Sequence, residues 1–424
     1  MTDFRFIHAA DIHLDSPLRG LAGQKGKVAE RIRTAARAAF DALVGQAIDD
    51  EVSFFVIAGD LYDGDWRDYQ TGLFFVGQMG RLAKAGIPAF VLHGNHDAES
   101  KITRRLTLPE NVQVFSARKP QTFRLDTLGV ALHGHSFAQR DITENLSLGY
   151  PEPIPGLFNI GVLHTALGGM GGHANYAPCS LSDLLGKGYD YWALGHVHQH
   201  AVLNERPYVV FPGNLQGRHI REAGPKGACF VSVEDGAVVD LLHVAVDAVR
   251  WAHLTVSVTD CNRLQDVADQ LRDAIEGAVG ADADGRLLAC RLEIQGRSEL
   301  HSQIVASTEH LLAEARAAAL SMGEDAAWVE KIRVSTEPLE DPAQLAARED
   351  ALGELLSSLS QAAHDADFLE TLLGEIGDFA RRLPSEIRAE TEDAVLQAAV
   401  KGDSDALIKT VGVDLMSRLT GKAT

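Results

Sequence analysis

The sequence predicts an α/β protein in three parts, on three observations. Through the first 247 residues, short β-branched or aromatic runs alternate with helical stretches, as in an α/β domain. Around Asp247 the pattern changes, and residues 248–338 read as a small α+β domain. From 339 to 424 the chain is rich in Ala, Leu, Glu and Arg at helical spacing. A length of 424 residues agrees with two or three domains at ~100–200 residues each.

In the first part, strands are predicted over 4–10, 53–58, 89–93, 130–135, 160–163, 191–194, 208–211 and 228–233, with helices over 25–48 and 71–85. The second helix stops at Gly86, with Pro88 just beyond as a steric bar. The second part opens with a strand over 251–258, where Leu254, Val256 and Val258 alternate. A helix over 263–279, a strand over 287–294, a helix over 301–319 and a strand near 332–335 follow. The third part reads as three or four short helices, broken at Gly374-Glu375-Ile376-Gly377 and Leu383-Pro384-Ser385.

A hydrophobic share of 46% and a charged share of 23% are those of a soluble globular protein, and no stretch approaches the ~18 apolar residues of a membrane span. Met1-Thr2-Asp3-Phe4-Arg5 carries an early acid and no long apolar core, so a cytoplasmic protein is expected. Cys179, Cys229, Cys261 and Cys290 show no CxxC pairing, which points to partly buried thiols instead of a disulfide framework or zinc ribbon. The net charge of −20 is unevenly spread. Residues 1–250 hold 23 Lys and Arg against 27 Asp and Glu, whereas residues 251–424 hold 16 against 32. The acidity lies mainly beyond the first domain and does not exclude a nucleic-acid substrate.

Five predicted strands are each followed by metal-capable side chains. The first leads to Asp11 and His13, the second to Asp60 and Asp63, the third to Asn95 and His96, and two later ones to His164 and to His196 and His198. Strand carboxyl ends are where α/β sheets collect their ligands, because neighbouring strands deliver loops to one edge. Carboxylates, imidazoles and an amide oxygen without thiolates suit Mn2+, Fe or Zn2+ and argue against a structural zinc site. A single carboxylate can bridge two cations. Metals ~3.5–4 Å apart can share a hydroxide and clamp a phosphoryl group during in-line displacement.

The series Asp11-Ile12-His13, Gly59-Asp60-Leu61-Tyr62-Asp63, Gly94-Asn95-His96-Asp97, His164 and Gly195-His196-Val197-His198 resembles the calcineurin-like metallophosphoesterases. Within them it is most similar to the SbcD-type DNA-repair exonucleases of the YhaO-like branch, whose relatives carry a segment similar to residues 59–66. The resemblance implies a four-layer sandwich of two mixed sheets flanked by helices over 1–247, an α+β cap over 248–338 and a helical tail over 339–424. It implies that Asp11, His13 and His198 hold one divalent metal and that Asn95, His164 and His196 hold the other, with Asp60 bridging. Mn2+ is the first choice of metal, with Fe, Zn2+ or Mg2+ as alternatives. His96 would assist the leaving oxygen, and Asp97 would orient His96. Where some family nucleases carry a histidine three residues after the bridging aspartate, this chain has Asp63, which can touch a metal-bound water or position His13 but offers DNA no cation.

The implied activity is phosphodiester hydrolysis in DNA, exonucleolytic above all, with an SMC-like coiled-coil ATPase docking on the C-terminal region and a homodimeric assembly. Two alternatives stand beside it: a phosphoesterase of nucleotides or other small phosphoesters, and a mainly structural subunit that recruits an ATPase. Asn214, Arg218 and His219, in a Gly- and amide-rich segment able to approach a phosphate, join Asp63 as candidate substrate contacts. For His8 and His93 core packing is the first reading and support of the ligands the second. His135, His173 and His200 are weaker candidates for the cleft. The cluster Arg19, Lys25, Lys27, Arg31, Arg33 and Arg37, like Arg104-Arg105, reads more simply as solvated helix faces than as a DNA track. The apolar positions Leu352, Leu355, Leu356, Leu359, Phe368, Leu369, Leu372 and Leu373 read first as internal packing and second as the docking face.

Overall fold

The computed structural model describes residues 2–16, 26–63, 69–99, 107–168, 176–339, 353–354, 357–358, 361, 365–382, 394–408 and 410–411. The chain divides into two units. The first comprises Met1–Ala252, Val279–Ala289 and Glu324–Trp328, and the second His253–Ala278, Cys290–Gly323 and Val329–Thr424.

The first unit holds twelve strands among its described residues: β1 (Phe4–Ala9), β2 (Phe54–Ala58), β3 (Ala89–Leu92), β4 (Val112–Val114), β5 (Gln121–Leu125), β6 (Val130–Gly134), β7 (Phe158–His164), β8 (Tyr191–Gly195), β9 (Ala201–Glu205), β10 (Tyr208–Phe211), β11 (Gly227–Glu234) and β12 (Ala237–Ala245). They form two six-stranded sheets, ordered β12-β11-β1-β2-β3-β4 and β5-β6-β7-β8-β10-β9. Both are mixed: β1 to β4 run parallel beside an antiparallel β11, and β6, β7, β8 and β10 run parallel between antiparallel β5 and β9.

The interior strands are apolar on both faces, as a sheet covered on both sides requires. Between the sheets, Phe6, Phe54, Val56 and Phe90 pack with Phe158, Ile160, Val162 and Tyr191. Phe6 and Phe54 stack with ring centroids 4.9 Å apart. Replacing buried Phe54 by Ala is expected to cost about 3–5 kcal/mol. On the outer face of the first sheet, Ile7, Phe55, Ile57 and Val91 meet α1 (Lys27–Asp49) and α2 (Tyr69–Lys84) through Phe40, Leu43, Val44, Phe75 and Met79. The outer face of the second sheet is covered by shorter pieces, among them α4 (Leu181–Leu185), which follows α3 (Asn95–Glu99) in the chain. The four-layer sandwich is therefore present, with a fourth layer built from fragments. The four strands that the sequence did not announce, β4, β5, β9 and β12, are the four sheet edges. An edge strand needs no apolar run, because one side faces solvent.

A three-stranded sheet ordered β13-β14-β15 uses Val249–Ser257, Leu287–Ser298 and Ala327–Pro338, each longer than the expected strand. Helix α5 spans Leu264–Ala281. The single helix expected over 301–319 is two, α6 (His301–Ala306) and α7 (Thr308–Ser321), where the Thr308 hydroxyl donates to the Ile304 and Val305 carbonyls. The break expected at Gly374–Gly377 is absent: α8 (Ala366–Arg382) runs through it, and α9 (Ala394–Lys401) follows. Each glycine costs a helix only about 1 kcal/mol, too little to stop one whose apolar rows continue on both sides. Leu352, Leu355, Leu356, Leu359 and the 383–385 break lie outside the described residues, as does the side chain of Leu373. Among the described residues no helix is long and apolar enough to cross a membrane.

Candidate metal centre

The loops after β1, β2, β3, β7 and β8 converge at one edge of the paired sheets. Asp11 N donates to Gly59 O at 3.0 Å, His13 N to Asp60 O at 3.1 Å and Leu14 N to Leu61 O at 2.9 Å, which zips the first two loops together. Asp11, His13, Asp60 and His196 have positive φ, 50°, 46°, 50° and 102°. For non-glycine residues this strain costs on the order of 1–3 kcal/mol each, and its concentration here marks a functional site.

Among the described residues three groups of metal-capable atoms result: two are the clusters of Asp11 with His13 and His198 and of Asp60 with His164 and His196, and a third joins His13 to Asp63 and His96. In the first, the Nε2 atoms of His13 and His198 are 3.2 Å apart. His198 donates Nδ1–H to Glu222 Oε1 at 2.7 Å, which turns Nε2 toward His13 and Asp11. In the second, His164 donates Nδ1–H to Ala58 O at 2.9 Å, and its Nε2 faces Asn95 Oδ1 at 3.0 Å and Asp60 Oδ2 at 3.4 Å. Asp60 stands between the clusters: Oδ2 also lies 4.0 Å from His13 Nε2, while Oδ1 accepts from His96 N at 3.0 Å. Gly94 permits this approach, since a Cβ there would lie 2.3 Å from Asp60 Oδ1.

Acceptors facing one another at such distances need a cation or a proton between them. Ligands ~2.1 Å from one ion at near-right angles are themselves ~3 Å apart, so the donor set fits divalent metal. The titration pattern agrees. Burial disfavours the His164 imidazolium, yet the Asp60 charge raises it to about 9. Burial likewise opposes the Asp60 carboxylate, but His164, His13 and His96 hold it well below the ordinary range. Burial lifts Asp11 to about 6 despite nearby imidazoles, and burial with the Arg218 charge presses His13 far down.

Beside the clusters, His96 Nδ1 meets Asp63 Oδ1 at 2.7 Å. Burial alone would lower His96, but that bond and the charges of Asp60 and Asp63 raise it above the ordinary imidazole value. The expected orienting role of Asp97 is thereby corrected. Its buried carboxylate instead accepts from the backbone N–H groups of Leu61 (3.2 Å), Tyr62 (2.9 Å) and Gly94 (2.9 Å). A carboxylate one residue after a histidine on a short helix points away from it, because consecutive side chains diverge by about 100°. Asp63 also comes within 3.8 Å of His13 Nδ1.

Of the other candidates, Arg218 brings a cation to this edge, with Nη1 3.7 Å from Asp63 Oδ2 and Nη2 3.2 Å from His198 Nδ1. Asn214 is fully buried and donates to Gln216 O and Glu222 Oε2. His219 is half-exposed, 3.7 Å from Glu222. Glu222, at the end of a short 3-10 turn (Ile220–Glu222), gives no signal in the sequence, where it stands as a lone glutamate. His8 packs in the core against Tyr191 and Leu194, and His200 stacks on His243. His93 lines a cavity of about 400 Å³ with Asp97 and Phe137, while His135 is half-buried. Lys27, Arg31, Arg33 and Arg37 pair with Glu324, Asp325, Glu30 and Asp15, so these four form salt bridges in place of a bare basic track. Arg19, Lys25, Arg104, Arg105, His173 and residues 64–66 lie outside the described residues.

An α/β/β/α sandwich whose strand ends carry two imidazole-rich clusters joined by one aspartate defines a metallohydrolase. The model described as calcineurin-like phosphoesterase matches residues 4–200, and the model described as metallophosphoesterase YhaO, middle domain, matches residues 251–337. Over 300 residues the chain is 35% identical to the uncharacterized metallophosphoesterase YhaO of Bacillus subtilis (strain 168), across 70% of this chain and 72% of that one. The chain belongs to the calcineurin-like metallophosphoesterases. It is also 25% identical over 213 residues to the DNA double-strand break repair protein Mre11 of Methanopyrus kandleri, a match covering 46% of this chain and 44% of that protein. A solved dimetal phosphatase from Danio rerio aligns with 55% of this chain and 93% of its own at 13% identity and a TM-score of 0.35.

Proposed function

We propose that this metallophosphoesterase is a Mn2+-dependent DNA phosphodiesterase acting mainly as an exonuclease. The observation that carries the reading is Asp60 shared between two acceptor clusters, with the His96–Asp63 pair and Arg218 beside them. The similarity to a protein described as a DNA double-strand break repair protein supports DNA as the substrate. Asp11, His13 and His198 would hold one ion and Asn95, His164 and His196 the other, with Asp60 touching both. Bound there, two divalent ions lower the pKa of the attacking water and offset charge on the phosphoryl group. Asp63 accepts from Nδ1 of His96, fixes the ring and favours its imidazolium, so the other ring nitrogen supplies a proton to the departing oxygen. Arg218, held by Glu222, draws the phosphate to the edge of the site.

The C-terminal helices form the docking face for an SMC-like coiled-coil ATPase in a homodimeric assembly. Helix α8 supports this with Phe368 and Phe379 exposed at 46% and 61%. The test compares end-labelled linear duplex DNA with bis(4-nitrophenyl) phosphate, in Mn2+ and in chelator. Stepwise shortening from the DNA ends in Mn2+ alone is expected. Hydrolysis of the small ester with intact DNA, alone and with a candidate ATPase, would replace this reading with that of a small-phosphoester hydrolase.

A further inference from the structure

We infer that Gln216 and Lys226 are positioning residues of the metal centre, tying His198 to the segment 247–249 at the start of β13. The inference rests on the metal reading of the Asp11, His13 and His198 cluster, but not on DNA as the substrate.

Two routes lead from that segment to His198, and all their members lie in the first unit. Along the first, Gln216, 4% exposed, uses its whole amide group. Its Oε1 accepts from Ala248 N at 2.8 Å and Val249 N at 3.1 Å, and its Nε2 donates to Val249 O at 2.6 Å and Gly217 O at 2.9 Å. The carbonyl of Gln216 accepts from Asn214 Nδ2 at 2.9 Å, the same nitrogen donates to Glu222 Oε2 at 2.9 Å, and Glu222 Oε1 receives the Nδ1–H of His198. Trp251 secures the loop from outside by donating Nε1–H to Gly217 O at 2.9 Å. Along the second route, Lys226, 7% exposed, donates from Nζ to the main-chain carbonyl of His198 at 2.9 Å. The Lys226 carbonyl accepts from Val246 N and Asp247 N, and buried Asp247 is gripped by Arg250 and Arg286.

A buried amide with every donor and acceptor engaged holds its neighbours in one geometry, and a buried ammonium aimed at a ligand's own carbonyl fixes the backbone beneath that ligand. Groups that orient a metal-binding imidazole typically change metal affinity by about 10–100-fold when removed.

The test measures both Mn2+ binding constants by calorimetry for the wild type and for Gln216→Ala, Lys226→Met, Glu222→Gln and Gln216→Ala/Glu222→Gln. The visible spectrum of the Co2+-loaded proteins and the melting temperature in chelator are recorded alongside. Gln216→Ala and Lys226→Met are expected to weaken one site about tenfold and leave the other within about twofold. Both should alter the Co2+ spectrum, Lys226→Arg should restore it, and the double variant should bind no more weakly than Glu222→Gln. Unchanged binding constants and spectra overturn the inference, including where the metal-free melting temperature falls, because that pattern belongs to a purely structural role. Equal weakening of both sites, or additive losses in the double variant, also overturns it. A wild type that binds these metals but leaves DNA intact removes the DNA reading and leaves this one standing.

Discussion

His164 is held by the main chain, whereas His198, in the neighbouring cluster, is held by a relay of side chains. His164 leans on the Ala58 carbonyl, and Gly59 and Gly94 let it and Asp60 pack against bare backbone. His198 depends on Glu222, Glu222 on Asn214 and Arg218, and Asn214 on the Gln216 carbonyl. The contrast separates two kinds of vulnerability. The His164 cluster is fixed wherever the sheets are folded, and only an intruding atom disturbs it. The His198 cluster is adjustable, because single side chains outside it can reorient it.

The most severe way to break the contrast is Gly94→Ala. The new Cβ would meet Asp60 Oδ1 at 2.3 Å and Asp60 N at 2.8 Å, so the shared aspartate must shift and both clusters lose it. Metal content should fall to background and hydrolysis of bis(4-nitrophenyl) phosphate by about 10²-fold or more, with the far-UV spectrum retained. His96→Asn is the sharper experiment, because His96 belongs to neither cluster. Turnover should drop by about 10²–10⁴-fold at unchanged metal content. Unchanged turnover would remove His96 from the reaction.

The pairing of His96 with Asp63 can be tested separately. Asp63→Asn should lower turnover by about 10–100-fold, since an amide no longer favours the imidazolium. Asp97→Asn should leave turnover of the folded protein nearly intact and lower stability by about 1–3 kcal/mol in urea unfolding, as three backbone N–H groups lose a carboxylate acceptor. The reverse pattern would return the orienting role to Asp97.

Which of these residues could be read in advance follows from how each is held. Interior strands and the polar residues at their ends are legible, because a strand buried on both faces must be apolar and must end where a polar side chain begins. Phe54 to Ala58 followed by Gly59 and Asp60 is such a signal. The edge strands are not, since Gln121-Thr122-Phe123-Arg124 reads as a loop until its partner is known. Asp97 misleads because adjacency in sequence is not adjacency in space: its carboxylate accepts from the backbone of Leu61, Tyr62 and Gly94. Glu222 and Gln216 are invisible for the opposite reason: their partners stand 24 residues before Glu222 and 32–33 after Gln216, respectively.

The smallest expected effect concerns the footing common to both clusters. His8 lies on β1, which leads to Asp11 and His13, and it donates Nε2–H to the carbonyl of Leu194, just before Gly195 and His196. Its Nδ1 accepts from Tyr191 Oη at 3.0 Å, so the ring is needed neutral. Burial, with the charge of His200 adding to it, lowers its pKa to about 3. The folded value lies below the unfolded one, so this contribution to stability is complete above pH 6.5 and is lost as pH falls toward 3, at roughly 1.4 kcal/mol per unit. His8→Gln keeps one donor and one acceptor but takes up no proton. In chelator, urea unfolding of the wild type should therefore lose roughly 2 kcal/mol more than the variant between pH 7 and pH 5. Parallel losses in the two proteins would mean that His8 takes up its proton without straining the sheets, and that the acid sensitivity of the fold lies in the clusters themselves.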